Sequence, residues 1–129
     1  MIVDSSALVA IFNKEQDGQV FARKIDATAN VSMSSASYLE TAIVVEKHRD
    51  PARSARFDEL ILDLEMVIEP ITAAQARIAR QAYRDYGKGS GHPANLNFGD
   101  CFTYALARDK REPVLYKGDD FVHTDLRSA

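Results

Sequence analysis

Met1-Ile2-Val3-Asp4-Ser5-Ser6 (MIVDSS) opens the chain with a short apolar run that ends in an acid. The pair Ile2-Val3 has the composition of a short buried strand. After Ser5, three apolar residues recur at the spacing of one helical face. This stretch therefore predicts a buried strand that passes directly into a helix, with Asp4 at the point where the strand ends.

The same alternation of short apolar runs and helical patterns continues to the end of the chain. We predict strands near 2–3, 30–33, 66–69 and 114–116, and helices over 5–12, 38–48, the stripe 57–64, 72–86 and 98–109. A glycine-rich loop covers 87–93. Strands that alternate with helices are typical of an α/β domain with a mostly parallel central sheet. We expect residues 1–129 to form one such domain, because the chain is too short for two ordinary ones.

Charge and cysteine content narrow the class of protein only slightly. The net charge of −3 argues against general adhesion to nucleic acid but permits a locally basic face. The single Cys101 cannot form an intramolecular disulfide, which is compatible with a reducing compartment. No apolar run is long enough to span a bilayer. We expect a soluble cytoplasmic protein with no membrane contact.

Acidic residues follow the predicted strands or begin the helices beside them. Each has an ordinary structural explanation: Asp4 as the cap of the first helix, Glu40 and Asp100 as capping-box acids with Ser37 and Asn97, and Asp119 and Asp120 as polar turn residues. Thr72 is a further candidate cap, for the helix that ends near 86. In parallel sheets, however, the carboxyl ends of the strands meet at one edge, where ligands bind. The candidate site acids are Asp4, Glu40, Asp100, Asp119 and Asp120.

Carboxylates that gather at one edge of a sheet repel one another unless a cation neutralises them. An all-oxygen cluster favours hard divalent cations, so we expect Mg²⁺, with Mn²⁺ as a substitute. Such ions share their coordination shell with phosphate oxygens, which indicates a phosphate ester as substrate. The sequence contains neither a zinc-binding cysteine and histidine pattern, nor a nucleophile elbow, nor a P-loop.

Four segments together resemble the PIN-domain toxins of the VapC type, the ribonuclease half of bacterial toxin–antitoxin pairs. They are MIVDSSALVAIF (1–12), SASYLETAIVVE (35–46), LNFGDCFTYALA (96–107) and PVLYKGDDFVHTDL (113–126), in the order in which the family has them. The resemblance implies a three-layer α/β/α fold. It also implies a metal-dependent endoribonuclease that is inhibited by a VapB-type antitoxin and leaves a 5′-phosphate and a 3′-hydroxyl.

The resemblance also assigns roles to the candidate acids. Its first three acids fall on Asp4, Glu40 and Asp100, and its fourth on Asp119 or Asp120, between which the sequence does not choose. Asp4 and Asp100 are our first choice as direct metal ligands. Glu40 and the aspartate pair would act through water, hold a second metal or orient the nucleophile.

Further residues are candidates for contact with RNA or with a protein partner. Ser5, Ser6 and Lys117 lie beside the acids and are possible phosphate contacts. Four cations recur on one side of the predicted helix 72–86, where a solvated face is the ordinary interpretation and phosphate contact the alternative. They are Arg77, Arg80, Arg84 and Lys88. The family resemblance also implies a homodimer, to which the stripe 57–64 or the pair Ile43-Val44 could contribute.

Three other functions compete with the ribonuclease. A small-molecule phosphohydrolase of the common type needs a second aspartate two residues after the first, and Ser6 stands at that position. A receiver-like domain needs an aspartate after the third strand, and Ile71-Thr72 stands there instead. A non-catalytic binding module with the same fold would have lost at least one of the acids, and all four family positions are acidic.

Overall fold

A four-stranded parallel sheet lies at the centre of the computed structural model, which describes residues 1–129. The strands are β1 (Ile2–Val3), β2 (Ser32–Ser34), β3 (Val67–Glu69) and β4 (Val114–Leu115). Their spatial order is β3-β2-β1-β4, and every neighbouring pair is parallel. Since β1 has β2 on one side and β4 on the other, the direction of the connections reverses between β1 and β4.

Six helices surround the sheet and complete a three-layer α/β/α arrangement. They are α1 (Ser5–Phe12), α2 (Gly18–Asp26), α3 (Ser35–Glu46), α4 (Pro51–Asp63), α5 (Ala73–Tyr86) and α6 (Phe98–Lys110). The predicted α/β class, parallel sheet and three-layer fold are confirmed.

The two central strands are buried along their whole length. Ile2, Val3, Val114 and Leu115 are all almost inaccessible to water, as expected for a parallel sheet covered on both faces. The largest hydrophobic cluster includes Phe57, which stacks on Tyr38 of α3 and packs edge-to-face against Phe12 of α1. This core fixes the strand ends, and with them the residues that follow each strand.

Several predicted boundaries differ from the observed ones. Helix α2, which begins at Gly18, was not predicted. A side chain there would overlap the backbone of Ala10, so the glycine permits close packing of α2 on α1. The second strand is Ser32–Ser34 and not 30–33, and the helix after it begins at Ser35, three residues earlier than predicted. No helix is both long and apolar enough to cross a bilayer.

Candidate active site

The residues that follow β1 and β4 lie at the point where the connections of the sheet reverse direction. In open α/β sheets this is where ligands bind. Asp4 follows β1 directly, and Asp119 and Asp120 follow β4 by a few residues. Asp100 is in the first turn of α6, and Glu40 is in α3, the helix after β2.

Asp4 is held by hydrogen bonds on both carboxylate oxygens. Only 3% of the residue is exposed. Its Oδ2 accepts from the Ser6 amide at 2.9 Å and from the Ser6 hydroxyl at 2.6 Å, which makes Asp4 the N-cap of α1. Its Oδ1 accepts from the Thr103 hydroxyl at 2.6 Å. The capping role predicted for Asp4 is therefore confirmed, and its carboxylate has a fixed position at the strand end.

Thr103 belongs to a buried polar network that the sequence analysis missed. Its hydroxyl also lies 3.1 Å from that of Ser37, and Thr41 donates to the Ser37 carbonyl at 3.0 Å. All three residues are fully buried. Ser37 and Thr41 are two of the three buried residues of α3, and Thr103 lies among mainly apolar buried residues of α6. Buried hydroxyl groups need hydrogen-bond partners, and these three find them in one another and in Asp4.

Asp100 caps its own helix and is buried with other acids around it. The backbone amide of Asn97 donates to Asp100 Oδ2 at 2.8 Å, and the backbone amide of Asp100 donates to Asn97 Oδ1 at 2.9 Å. The predicted capping box is therefore confirmed. The pKa of Asp100 is raised to about 7, chiefly by burial. The hydrogen bond from Asn97 opposes this rise in pKa, whereas the charges of Asp4, Asp120 and Glu40 contribute to it. The three other acids therefore act on Asp100 electrostatically.

Glu40 does not form the capping box predicted for 37–40. The cap of α3 is Ser34, whose hydroxyl accepts from the backbone, and Glu40 lies in the second helical turn. Its pKa is raised by burial and by the charge of Asp4, while a hydrogen bond from Ser5 offsets part of the effect. A Cβ atom on Gly99 would lie 2.5 Å from Glu40 Oε2. The glycine beside Asp100 thus makes room for the Glu40 carboxylate.

The two adjacent aspartates after β4 differ in their surroundings. The pKa of Asp120 is raised by partial burial, then by the charge of Asp4 and then by that of Asp119. Asp120 is also among the charges that raise the pKa of Asp100, and Asp119 is not. Of the two aspartates, only Asp120 acts electrostatically on Asp100, and this difference favours Asp120 as the fourth site acid.

Lys117 reaches the site through its backbone. Its amide donates to the Ser6 hydroxyl at 3.0 Å. Its ammonium group forms ion pairs with Glu15 and Asp17. We expected its charge to lie beside the site acids, and the structure instead pairs it with these two other acids. A phosphate contact from this side chain would require those pairs to break.

The acids fit a cation that needs few protein ligands. No three acidic, histidine or cysteine side chains converge closely enough to form a complete ligand set. Mg²⁺ usually takes only one or two carboxylates and fills its shell with water and substrate phosphate. Asp4 and Asp100 are buried carboxylates whose charges repel each other, and a bound cation would relieve that repulsion.

Comparison with known proteins agrees with this geometry. The family model described as PIN domain matches residues 1–126. The chain is 55% identical over 132 residues to Ribonuclease VapC28 of Mycobacterium tuberculosis, covering 100% of this chain and 97% of that protein. It is 47% identical over 129 residues to Ribonuclease VapC42 of the same species, covering 100% and 98%. The chain belongs to the PIN domain family, within its VapC group.

Solved structures show the same fold at low sequence identity. The VapC20 toxin of Mycobacterium tuberculosis, described as cleaving the sarcin-ricin loop, has a TM-score of 0.76 and 17% identity, over 99% of this chain and 97% of that one. A toxin–antitoxin complex from Klebsiella pneumoniae has a TM-score of 0.72 and 16% identity, over 96% and 92% of the two chains.

Proposed function

We propose that this protein is the toxin of a type II toxin–antitoxin pair and acts as a Mg²⁺- or Mn²⁺-dependent endoribonuclease. The observation that carries the proposal is the set of four acids at one edge of the sheet. Asp4, Glu40, Asp100 and Asp120 come from four separate segments of the chain, and their charges act on one another. Relatives that match the full length of the chain are named ribonucleases.

Asp4 and Asp100 are the proposed metal ligands. A divalent cation bound there would stabilise negative charge on the phosphodiester and lower the pKa of water. Thr103 and Ser6 hold the Asp4 carboxylate, and Asn97 holds that of Asp100, so neither ligand needs to be reordered on binding. Glu40 and Asp120 are the further acids available to orient water.

Backbone donors in the same region can contact the substrate phosphate. Helices α1 and α6 begin at the site, and the free amides of a helix N-terminus attract anions. The Ser5 and Ser6 hydroxyls are the nearest side-chain donors, although Ser6 already donates to Asp4. We propose them as phosphate contacts together with these helix ends. Lys117 is a weaker candidate because of its ion pairs.

We propose a VapB-type antitoxin and a second copy of the chain as protein partners. Leu39, Ile43 and Val44 are exposed apolar residues on α3, and Leu62 on α4 is exposed as well. Exposed apolar residues that cluster on neighbouring helices are a common feature of protein interfaces. The structural similarity to a chain of a toxin–antitoxin complex supports the same assignment.

The proposal is tested by cleavage of total small RNA with the purified, antitoxin-free protein. We expect cutting with Mg²⁺ or Mn²⁺, none with EDTA, and none from folded Asp4→Asn or Asp100→Asn variants. Asp63→Asn, an exposed acid on α4, is the matched control and should cut normally. Cutting that survives both site substitutions would overturn the mechanism. A folded, metal-loaded protein that cuts no RNA would favour the phosphohydrolase alternative.

A further inference from the structure

An apolar cleft between α5 and the start of α6 opens beside the candidate active site. Its volume is about 590 Å³, within the range of roughly 300 to 1,000 Å³ that is usual for small-ligand pockets. Its walls are mostly apolar. We call it the aromatic cleft. Its lining includes three aromatic residues, Tyr83, Phe98 and Phe102, and three polar or basic residues, Arg80, Lys88 and Asn97.

Two aromatic side chains of the cleft are exposed to solvent and are not part of the hydrophobic core. Phe98 is 78% exposed and Tyr83 is 48% exposed. Tyr83 is not among the buried residues of α5. Phe98 packs edge-to-face against Phe102, with ring centroids 4.8 Å apart. This packing braces Phe98 from one side only.

The cations that line the cleft have no acidic partners. Arg80 and Lys88 are exposed, and neither takes part in an ion pair. Arg77 and Arg84, on the same side of α5, are also exposed and unpaired. Lys88 is held at the rim, because its amide donates to Leu96 at 2.8 Å and its carbonyl accepts from the Tyr83 hydroxyl at 3.0 Å. A stripe of unpaired positive charge therefore borders an aromatic surface on a protein whose net charge is negative.

The cleft meets the acids at the N-terminus of α6. Asn97 lines the cleft, and its backbone amide donates to the Asp100 carboxylate at 2.8 Å. Phe98 and Phe102 lie on the cleft side of α6, whereas Thr103, on another side of the same helix, donates to Asp4. A chain lying in the cleft would therefore reach the proposed metal ligands by passing around the N-terminal end of α6.

We propose that the aromatic cleft binds single-stranded RNA beside the scissile phosphodiester, with a base stacked on Phe98 and phosphates on Arg80 and Lys88. This inference rests on the proposed ribonuclease function and names where its substrate binds. Aromatic platforms bordered by basic residues are how proteins hold single strands. A second copy of the chain fits less well, because a symmetric contact would bring the same unpaired cations together.

The test measures binding of a short, fluorescently labelled single-stranded RNA of random sequence, in EDTA, by fluorescence anisotropy. Phe98→Leu keeps an apolar side chain but removes the stacking ring, and we expect affinity to fall at least about 5-fold. Phe98→Tyr keeps the ring and should stay within about 2-fold of the wild type. Because Phe98 is mostly exposed, thermal unfolding should confirm that both variants fold.

The contribution of the cations is measured by the salt dependence of the same binding. Arg80→Gln with Lys88→Gln should make the slope of log K against log salt less negative by about 1.4, since each phosphate contact to a single strand contributes about 0.7. Arg23→Gln with Lys47→Gln, two exposed cations outside the cleft, makes the same charge change and should leave the slope nearly unchanged.

Three results would overturn the proposal: no RNA binding by the wild type, unchanged affinity in Phe98→Leu, or equal slope changes in the two double variants. Unchanged affinity in Phe98→Leu would point to an apolar protein segment as the occupant. RNA cleavage with Mg²⁺, measured in parallel, distinguishes failure of the cleft proposal from failure of the nuclease proposal. Cutting by the wild type with any of these three results leaves the nuclease standing and removes the cleft. Loss of binding in Phe98→Leu without any cutting by the wild type supports the cleft and removes the nuclease.

Discussion

The Thr103 hydroxyl is a buried donor whose removal should separate fold stability from chemistry at the site. It donates to Asp4 Oδ1 at 2.6 Å and lies 3.1 Å from the Ser37 hydroxyl. Thr103 is fully buried and Asp4 is nearly so. Thr103→Val replaces the hydroxyl with a methyl group of similar size, so it leaves one oxygen of a buried carboxylate without its donor.

The expected cost follows from the charge of the acceptor. A hydrogen bond to a charged group contributes about 1.5–3 kcal/mol to stability, against about 0.5–1.5 kcal/mol for a neutral pair. Thr103→Val should therefore lower the free energy of unfolding by about 1.5–3 kcal/mol. In the Asp4→Asn background the acceptor is neutral, so the same substitution should cost about 1 kcal/mol less.

Urea unfolding in EDTA measures these free energies of unfolding. The rate of RNA cleavage with Mg²⁺ measures catalysis at the site. Thr103→Ser keeps the donor and loses a buried methyl group, so it should cost about 1 kcal/mol and retain cleavage. We expect Thr103→Val to cleave at least about 10-fold more slowly, because the Asp4 carboxylate is no longer held. The reasoning is refuted if the valine variant is as stable as the wild type, or if the serine variant is the less stable of the two.

Three further substitutions test other parts of the structure. Asp120→Asn should slow RNA cleavage at least about 10-fold, whereas Asp119→Asn, which makes the same charge change, should have a much smaller effect. Equal losses of cleavage would contradict the assignment of Asp120 as the fourth site acid. Phe57→Ala should lower the free energy of unfolding in urea by about 3–5 kcal/mol. Leu62→Ala, at a site that is 77% exposed, should change it by no more than about 0.5 kcal/mol. Burial raises the pKa of Tyr104 above its ordinary value of 10.0, so the folded state should lose stability as the pH rises through that value. Tyr104→Phe should show a smaller loss between pH 8 and pH 11, and an identical loss would count against this account.

The architecture was predictable because it follows from local patterns. Short apolar runs that alternate with helical stripes indicated a parallel α/β sheet, and the strand at Ile2–Val3 is observed as predicted. The capping roles of Asp4, Thr72 and Asn97 were also visible, since a cap depends on residues within one turn. Helix α2 was not predicted, and its packing on α1 depends on the close approach of Gly18 to Ala10, a tertiary contact.

The site was predictable only in part. The sequence supplied the five candidate acids, because each follows a strand or begins a helix. It could not choose between Asp119 and Asp120, which are neighbours in the chain and differ only in what they face. It also placed Glu40 in a capping box with Ser37, whereas Ser37 is a buried partner of Thr103.

The sequence by itself thus determined the order of the elements, the acids at the strand ends and the basic side of α5, since each depends on residues close together in the chain. Tertiary structure alone decided which acids act on one another, that Thr103 holds Asp4, and that Phe98 and Tyr83 line one cleft between α5 and α6. Thr103 and Asp4 are 99 residues apart in the sequence. Contacts over such separations depend on how β1 and α6 pack, and no local pattern records that packing.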